Sequence, residues 1–167
     1  LGNKGAKALA SVIRDSPSLT SINLEWNKLG PEGAKALAPA LRDSASLTSV
    51  NLLKNRLETE AASVLLKVKE EKPMLRTLCG LTHAETKLDY RNQGLGQADA
   101  MLLAPEISVM TSLTSIDLWG NHIRAEGAKA LAPAIRDSPS LTSVRAFGNS
   151  WSSGECRGSC LLSMLVV

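Results

Sequence analysis

Alternating apolar and polar positions recur along this chain with a period of 28 residues. Two segments nearly coincide: LTSINLEWNKLGPEGAKALAPALRDSAS from Leu19, and LTSIDLWGNHIRAEGAKALAPAIRDSPS from Leu113. A third copy, from Leu47, keeps the frame but has drifted in its second half. Each copy begins with L-x-x-[IV]-x-L-x-x-N-x-[LI], whose apolar positions alternate as in a strand with one buried face. The frame therefore predicts a short strand in every copy.

The second half of each copy has helical spacing. Apolar residues fall at i, i+3, i+4 and i+7, which gives one stripe that packs onto the strand layer. In the copy from Leu19 these are Ala34, Leu37, Ala38 and Leu41. A proline recurs within the helical segment and is expected to bend or break the helix, because it removes a backbone hydrogen bond. These prolines are Pro39, Pro105 and Pro133.

An asparagine stands where each predicted strand must turn. The four positions are Asn27, Asn55, Asn121 and Asn149. A side-chain amide there can bond backbone groups that the turn leaves unpaired. We predict that stacked copies form a structural asparagine ladder.

Composition narrows the class of protein. Aromatic residues make up only 3% of the chain, so the core must be aliphatic. The net charge of +3 is mild and the basic residues are interspersed with acidic ones, unlike the basic stripe of a nucleic-acid binder. The apolar run CLLSMLVV is too short to span a bilayer. We therefore expect neither nucleic acid nor a membrane as a partner.

Residues that could carry chemistry are sparse. His83 and His122 have no cysteine or carboxylate at metal-ligand spacing, so each is expected to be a solvent or loop histidine. The three cysteines, Cys79, Cys156 and Cys160, are irregularly spaced and suggest reduced thiols and a cytoplasmic location. We expect no cofactor, no metal and no enzyme activity.

The frame, the 28-residue period and the GAKALA helix resemble a leucine-rich repeat of the ribonuclease-inhibitor-like subclass. That subclass also supplies the repeat regions of NOD-like receptors and of Ran GTPase-activating proteins. The resemblance covers residues 1–151 and implies a curved α/β solenoid with parallel strands on its concave face and helices on its convex face. Each layer is then stabilised by its neighbours. Residues 152–167 are interpreted as a degenerate C-terminal tail, either a shifted amphipathic helix or a truncated end.

One repeat, LRTLCGLTHAETKLDYRNQGLG at 75–96, breaks the period. It takes 38 residues, from Leu75 to Leu113, to return to the frame. The frame is satisfied twice within it, with no helix between the two strand candidates. We favour two short strands joined by a link that carries His83; the alternative is one strand and a displaced loop. The segment is predicted to be a junction between repeat blocks.

In the resembled architecture the variable strand positions face the concave surface and are the candidate partner-binding residues. They are Asn23, Glu25, Trp26, Asn51, Leu53, Asp89, Arg91, Asp117, Trp119 and Arg145. The frame does not require Trp26 or Trp119, and exposed aromatics beside Arg and Asp are typical interface anchors. The alternative is that both pack against adjacent loops. Phe147 is expected to be structural and to cover the last layer.

These observations predict a protein–protein interaction module that binds another protein through the concave face. We expect it to be a piece of a larger sensor, adaptor or scaffold. The alternative is a GTPase regulator similar to the Ran GTPase-activating proteins. An inhibitor of basic ribonucleases is disfavoured, because such a binder should be acidic whereas this chain carries +3.

Overall fold

The computed structural model describes residues 1–149 of the chain as alternating helices and three-residue strands. The helices are α1 (Gly2–Asp15), α2 (Gly30–Asp43), α3 (Thr59–Glu71), α4 (Gln97–Val109) and α5 (Arg124–Arg136). The strands are β1 (Ser21–Asn23), β2 (Ser49–Asn51), β3 (Lys87–Asp89), β4 (Ser115–Asp117) and β5 (Ser143–Arg145). The predicted tail at 152–167, with Cys156 and Cys160, lies outside the described residues.

The chain divides into two compact units, Leu1–Leu81 (unit 1) and Thr82–Val167 (unit 2). In unit 1, β1 and β2 pair in parallel, and α2 packs between α1 and α3. In unit 2, β3, β4 and β5 form a parallel sheet in chain order, and α4 packs against α5. Strand partners are 28 residues apart throughout, as in Ser21 with Ser49 and Ser115 with Ser143. The predicted strand–helix alternation is confirmed in both units.

The core of each unit is aliphatic. The middle residue of a strand and the apolar stripe of the following helix are both buried, as with Val50 and Leu65 in unit 1 and Ile116 and Leu131 in unit 2. Small residues let the helices approach closely. A Cβ placed on Gly127 of α5 would lie 2.9 Å from the Cβ of Ala100 in α4. None of the described helices is both long enough and apolar enough to cross a membrane.

The asparagine ladder is confirmed. The side-chain oxygen of Asn55 accepts hydrogen bonds from the backbone N–H groups of Asn27 and Leu29, one copy earlier. Its side-chain nitrogen donates to the carbonyls of Leu24 and Leu52. Asn121 and Asn149 make the equivalent bonds in unit 2. Each buried amide thus ties one turn to the preceding one.

The prolines do not break the helices, which was one of the two effects expected from sequence. The helices α2, α4 and α5 continue through Pro39, Pro105 and Pro133. The rings of Pro39 and Pro133 lie on exposed faces, so water can bond the carbonyl that each proline leaves without its helical partner.

The irregular segment contains no helix between Glu71 and Gln97. Its first strand candidate contributes a single parallel bridge from Thr77 to Ser49, and the second forms β3. The link between them is ordered by Glu85, whose carboxylate accepts hydrogen bonds from the backbone N–H and the hydroxyl of Thr82. Burial acts to raise the pKa of Glu85, but these hydrogen bonds outweigh it and the pKa is lowered.

His83 is a loop histidine, one of the two outcomes expected from sequence, and its side chain is 24% exposed. Its Nε2 contacts Oε2 of Glu106, a side chain of α4 with no solvent exposure. His83 has a left-handed φ of 63°, uncommon for a residue with a side chain. In α5 the residue one period after Glu106 is Ala134, so the carboxylate occupies a position that is otherwise apolar. The link thus supplies a polar partner for a polar residue inside the core.

Candidate protein-binding surface

The three strands of unit 2 present a set of aligned side chains opposite the core. Leu88, Ile116 and Val144 point inward and are buried, so the alternating residues lie on the outer side. We call this set the strand face of unit 2. The paired registers place Lys87, Ser115 and Ser143 in one row and Asp89, Asp117 and Arg145 in the next. The set is completed by Arg91, Trp119 and Phe147, which stand in the turns directly after the three strands.

The middle row has a local structural role in most copies. The side-chain oxygen of Asp89 accepts the backbone N–H of Arg91, and that of Asp117 accepts the N–H of Trp119. Asn23 and Asn51 make the same bond in unit 1. This side chain caps the end of the strand, which explains why short oxygen-bearing residues recur here. Arg145 stands at the same position in β5 and carries no acceptor.

Asp89, Arg91, Asp117 and Arg145 form one charged cluster. The guanidinium of Arg91 donates to both oxygens of Asp89, with Nη2 2.6 Å from Oδ2. This side-chain hydrogen bond lowers the pKa of Asp89, with smaller help from the backbone N–H of Arg91. Oδ2 of Asp117 lies 3.7 Å from Nε of Arg91 and 3.5 Å from Nη1 of Arg145. Asp117 is thus shared between two guanidinium groups.

Beside the cluster lies an open pocket with a volume of about 620 Å³. It is lined by Asp89, Arg91, Asn92, Gln93, Trp119 and Arg145. Trp119 is 43% exposed, and its ring nitrogen would lie 3.4 Å from a Cβ on Gly148. Phe147, in the turn after β5, is 52% exposed.

The candidate residues of unit 1 form a separate arrangement. Lys54 places its ammonium 5.4 Å from the centre of the Trp26 ring and 2.6 Å from Oε1 of Glu25. Asn51 donates to the other oxygen of Glu25. Trp26 is 65% exposed and has a φ of 61°, a left-handed conformation that is costly for a large side chain. Asn23 is exposed at the edge of this group.

Leu53 does not belong to the accessible surface, contrary to the prediction. The 77–79 segment continues the 28-residue register beside β2, with Thr77 bridging Ser49 and Cys79 bridging Asn51. By that register Leu81 follows next to Leu53, which is 1% exposed. Leu53 is therefore a core residue.

Lys54, Gln93 and Phe147 contribute to these surfaces, although none was among the predicted site residues. Lys54 stands one period after Trp26, so the column that contains Trp26 held the signal for it. Gln93 lies beside the frame asparagine column rather than in a strand, and only the pocket identifies it.

Parts of this chain are similar to a known protein family. A family model described as "Leucine Rich repeat" matches residues 15–38 and 109–132, one match in each unit. Each match includes a strand, the asparagine turn and the start of a helix. The chain has a leucine-rich repeat fold.

Solved structures similar to this leucine-rich repeat chain include the tropomodulin C-terminal domain of Caenorhabditis elegans. The sequence identity is 20% and the TM-score 0.47, over 96% of this chain and 90% of that one. No curated protein matches the sequence at a significant level.

Proposed function

We propose that this leucine-rich repeat chain is a protein-binding module that holds its partner on the strand face of unit 2. The observation that carries the proposal is the pair Trp119 and Phe147, exposed next to one another beside a charged cluster and a pocket. Leucine-rich repeats generally mediate protein–protein interaction, and the proposal assigns that role to a particular surface.

The physical support is the combination of groups. Large aromatic side chains supply much contact area at low conformational cost, and Trp and Arg are enriched among residues that dominate binding energies. Each aromatic stands in the turn directly after a strand of one sheet, and the backbone N–H of Gly120 donates to the carbonyl of Phe147, which joins the two turns. Within the charged cluster, Arg91 and Asp89 are held in place by their mutual hydrogen bonds and leave less freedom to lose on binding.

The finer assignments are part of the same proposal. The uniform 28-residue register supports the ribonuclease-inhibitor-like subclass. We propose binding without catalysis, in the cytoplasm, as part of a larger sensor, adaptor or scaffold. No contact among residues 1–149 favours the GTPase-regulating alternative.

The test uses a library of random 12-residue peptides displayed on phage and selected against the whole chain. Affinities of the enriched peptides are then measured by fluorescence anisotropy with Trp119→Ala and Phe147→Ala. Loss of an anchor of about 2 kcal/mol weakens binding by about 30-fold. Val109→Ala is the matched control, because Val109 is an exposed apolar residue of α4 in the same unit. Peptides that bind Trp119→Ala and Phe147→Ala as tightly as the wild type would refute the proposal.

A further inference from the structure

Arg145 departs from the pattern of its row in a way that points to a ligand. Asn23, Asn51, Asp89 and Asp117 each accept a backbone N–H two residues on. An arginine cannot accept that bond, so Arg145 gives up the capping role at its position. Its side chain instead extends outward and is 63% exposed.

The guanidinium of Arg145 is held loosely. Its contact with Asp117 is 3.5 Å, longer than a charge-assisted hydrogen bond, and it makes no side-chain hydrogen bond to another residue within 1–149. Arg91, by contrast, is bonded to both oxygens of Asp89. Arg145 is therefore the cation of the cluster whose guanidinium N–H groups are available to an acceptor on a ligand.

The charges on the strand face of unit 2 also favour a ligand with an acidic group. Lys87, Arg91 and Arg145 are three cations against the two carboxylates Asp89 and Asp117. Asp117 lies between the two arginines with its side chain only 14% exposed, so it orients them more than it competes for the ligand. A carboxylate supplied by a ligand would therefore pair with the remaining cation.

Two exposed aromatic side chains follow this cation and its neighbour closely in the chain. Phe147 is in the turn after β5, two residues after Arg145, and Trp119 is in the equivalent turn after β4, two residues after Asp117. Two residues of chain reach at most about 7 Å, which is also the distance between side chains at i and i+2 on one face of an extended peptide. An extended peptide with a carboxylate at one position and an apolar residue two positions away matches both contacts.

We propose that the strand face of unit 2 recognises an extended acidic segment of a partner protein. In this segment Asp or Glu pairs with Arg145, and Leu, Ile or Phe two residues away packs on Trp119 and Phe147. Arg145 is the residue that determines this specificity. The inference rests on the proposed function and adds the chemistry of the partner to it.

The same 12-residue phage library tests the motif. The expected result is enrichment of Asp or Glu two residues from an apolar residue. Changing the acid of a winning peptide to its amide weakens binding by at least about 10-fold, the loss of one charge-assisted hydrogen bond. Enriched peptides without an acid would overturn the inference.

Reversing the charge of Arg145 is the second part of the test. Arg145→Glu is expected to lose the acidic peptides and to gain affinity for versions in which lysine replaces the acid. Arg136→Glu makes the same charge change at the exposed end of α5 and is expected to have no effect. If Arg145→Glu binds the acidic peptides normally while Trp119→Ala does not, this inference fails and the proposed function stands. If neither variant changes binding, both fail.

Discussion

The imidazole of His83, in the link between two repeat blocks, contacts the fully buried carboxylate of Glu106 in α4. We expect His83→Ala to lower the free energy of unfolding by about 2 kcal/mol, because it removes a hydrogen-bond partner from a fully buried polar side chain. The double variant His83→Ala/Glu106→Ala is expected to lose less than the sum of the two single variants, since alanine fits the equivalent place at 134. Urea unfolding followed by circular dichroism measures all three.

Glu126→Ala is the control for this cycle, because Glu126 is an exposed glutamate of α5 whose ion pair with Lys129 is also exposed. It is expected to change stability by less than about 0.5 kcal/mol. If the stability losses of the two single variants add up to the loss of the double variant, His83 and Glu106 are not coupled.

Lys72 makes the stability of unit 1 depend on pH. Its ammonium donates to the carbonyls of Leu41 and Ser44 at the end of α2, at 2.8 and 2.5 Å. Burial lowers the pKa of Lys72 below its ordinary 10.5. Between the folded and unfolded pKa the unfolded chain holds more protons, so stability rises with pH across that window.

The prediction is that the wild type gains stability relative to Lys72→Met as the pH rises towards 10.5. Denaturant unfolding of both proteins at a series of alkaline pH values gives the difference curve. A flat or falling difference would mean that Lys72 does not resist protonation in the folded state.

Substitution of Asn55 tests how much the asparagine ladder stabilises the fold. Its amide makes buried bonds to Asn27, Leu29, Leu24 and Leu52. Asn55→Ala leaves several buried backbone groups without partners, and a loss of about 3 kcal/mol is expected in urea unfolding. Asn23→Ala removes one exposed bond to the Glu25 N–H and is expected to cost about 0.5 kcal/mol. Equal losses in the two variants would contradict a special role for the ladder.

Gly127 and Gly5 occupy the same place in GAKALA and are expected to respond oppositely to alanine. A Cβ on Gly127 meets Ile123, Ala100 and the Gln97 backbone at 2.8 to 3.0 Å. Gly127→Ala is therefore expected to lower stability by about 1 kcal/mol or more through overpacking. The three atoms nearest to a Cβ on Gly5 all belong to the side chain of Leu1, which is exposed and can move.

Gly5→Ala should then stabilise by about 0.5 kcal/mol, the usual gain on removing glycine from a helix. Thermal and urea unfolding of the two variants provide the comparison. The packing explanation is wrong if both substitutions shift stability in the same direction.

Trp26 is expected to contribute little to stability despite its size. Asn92 occupies the equivalent left-handed position in unit 2, with a φ of 53°. Trp26→Asn relieves strain of about 1–2 kcal/mol and loses a cation–π contact of about 0.5–1 kcal/mol. Unfolding measurements should show no loss greater than about 1 kcal/mol. A loss of about 3 kcal/mol, as for a buried tryptophan, would mean that Trp26 is a packing residue.

The sequence by itself determined the strands, the helices and the asparagine ladder. Those features depend on periodicity: which face of an element a residue occupies follows from spacing along the chain, and Ile116 or Asn55 can be placed from the frame alone. Most of the candidate surface was also predictable, because Asp117 and Arg145 occupy outward positions of strands and Trp119 continues the same alternation into the following turn.

What covers each face was decided only by the tertiary structure. Leu53 holds an outward position in the frame but is buried, because the irregular segment continues beside β2. His83 is an isolated histidine in the sequence and the partner of Glu106 in the fold. Gly5 and Gly127 share one motif, yet only Gly127 faces a helix at close range. Spacing sets the direction of a side chain, whereas burial, pairing and close packing depend on residues that are distant in sequence and meet only in the folded chain.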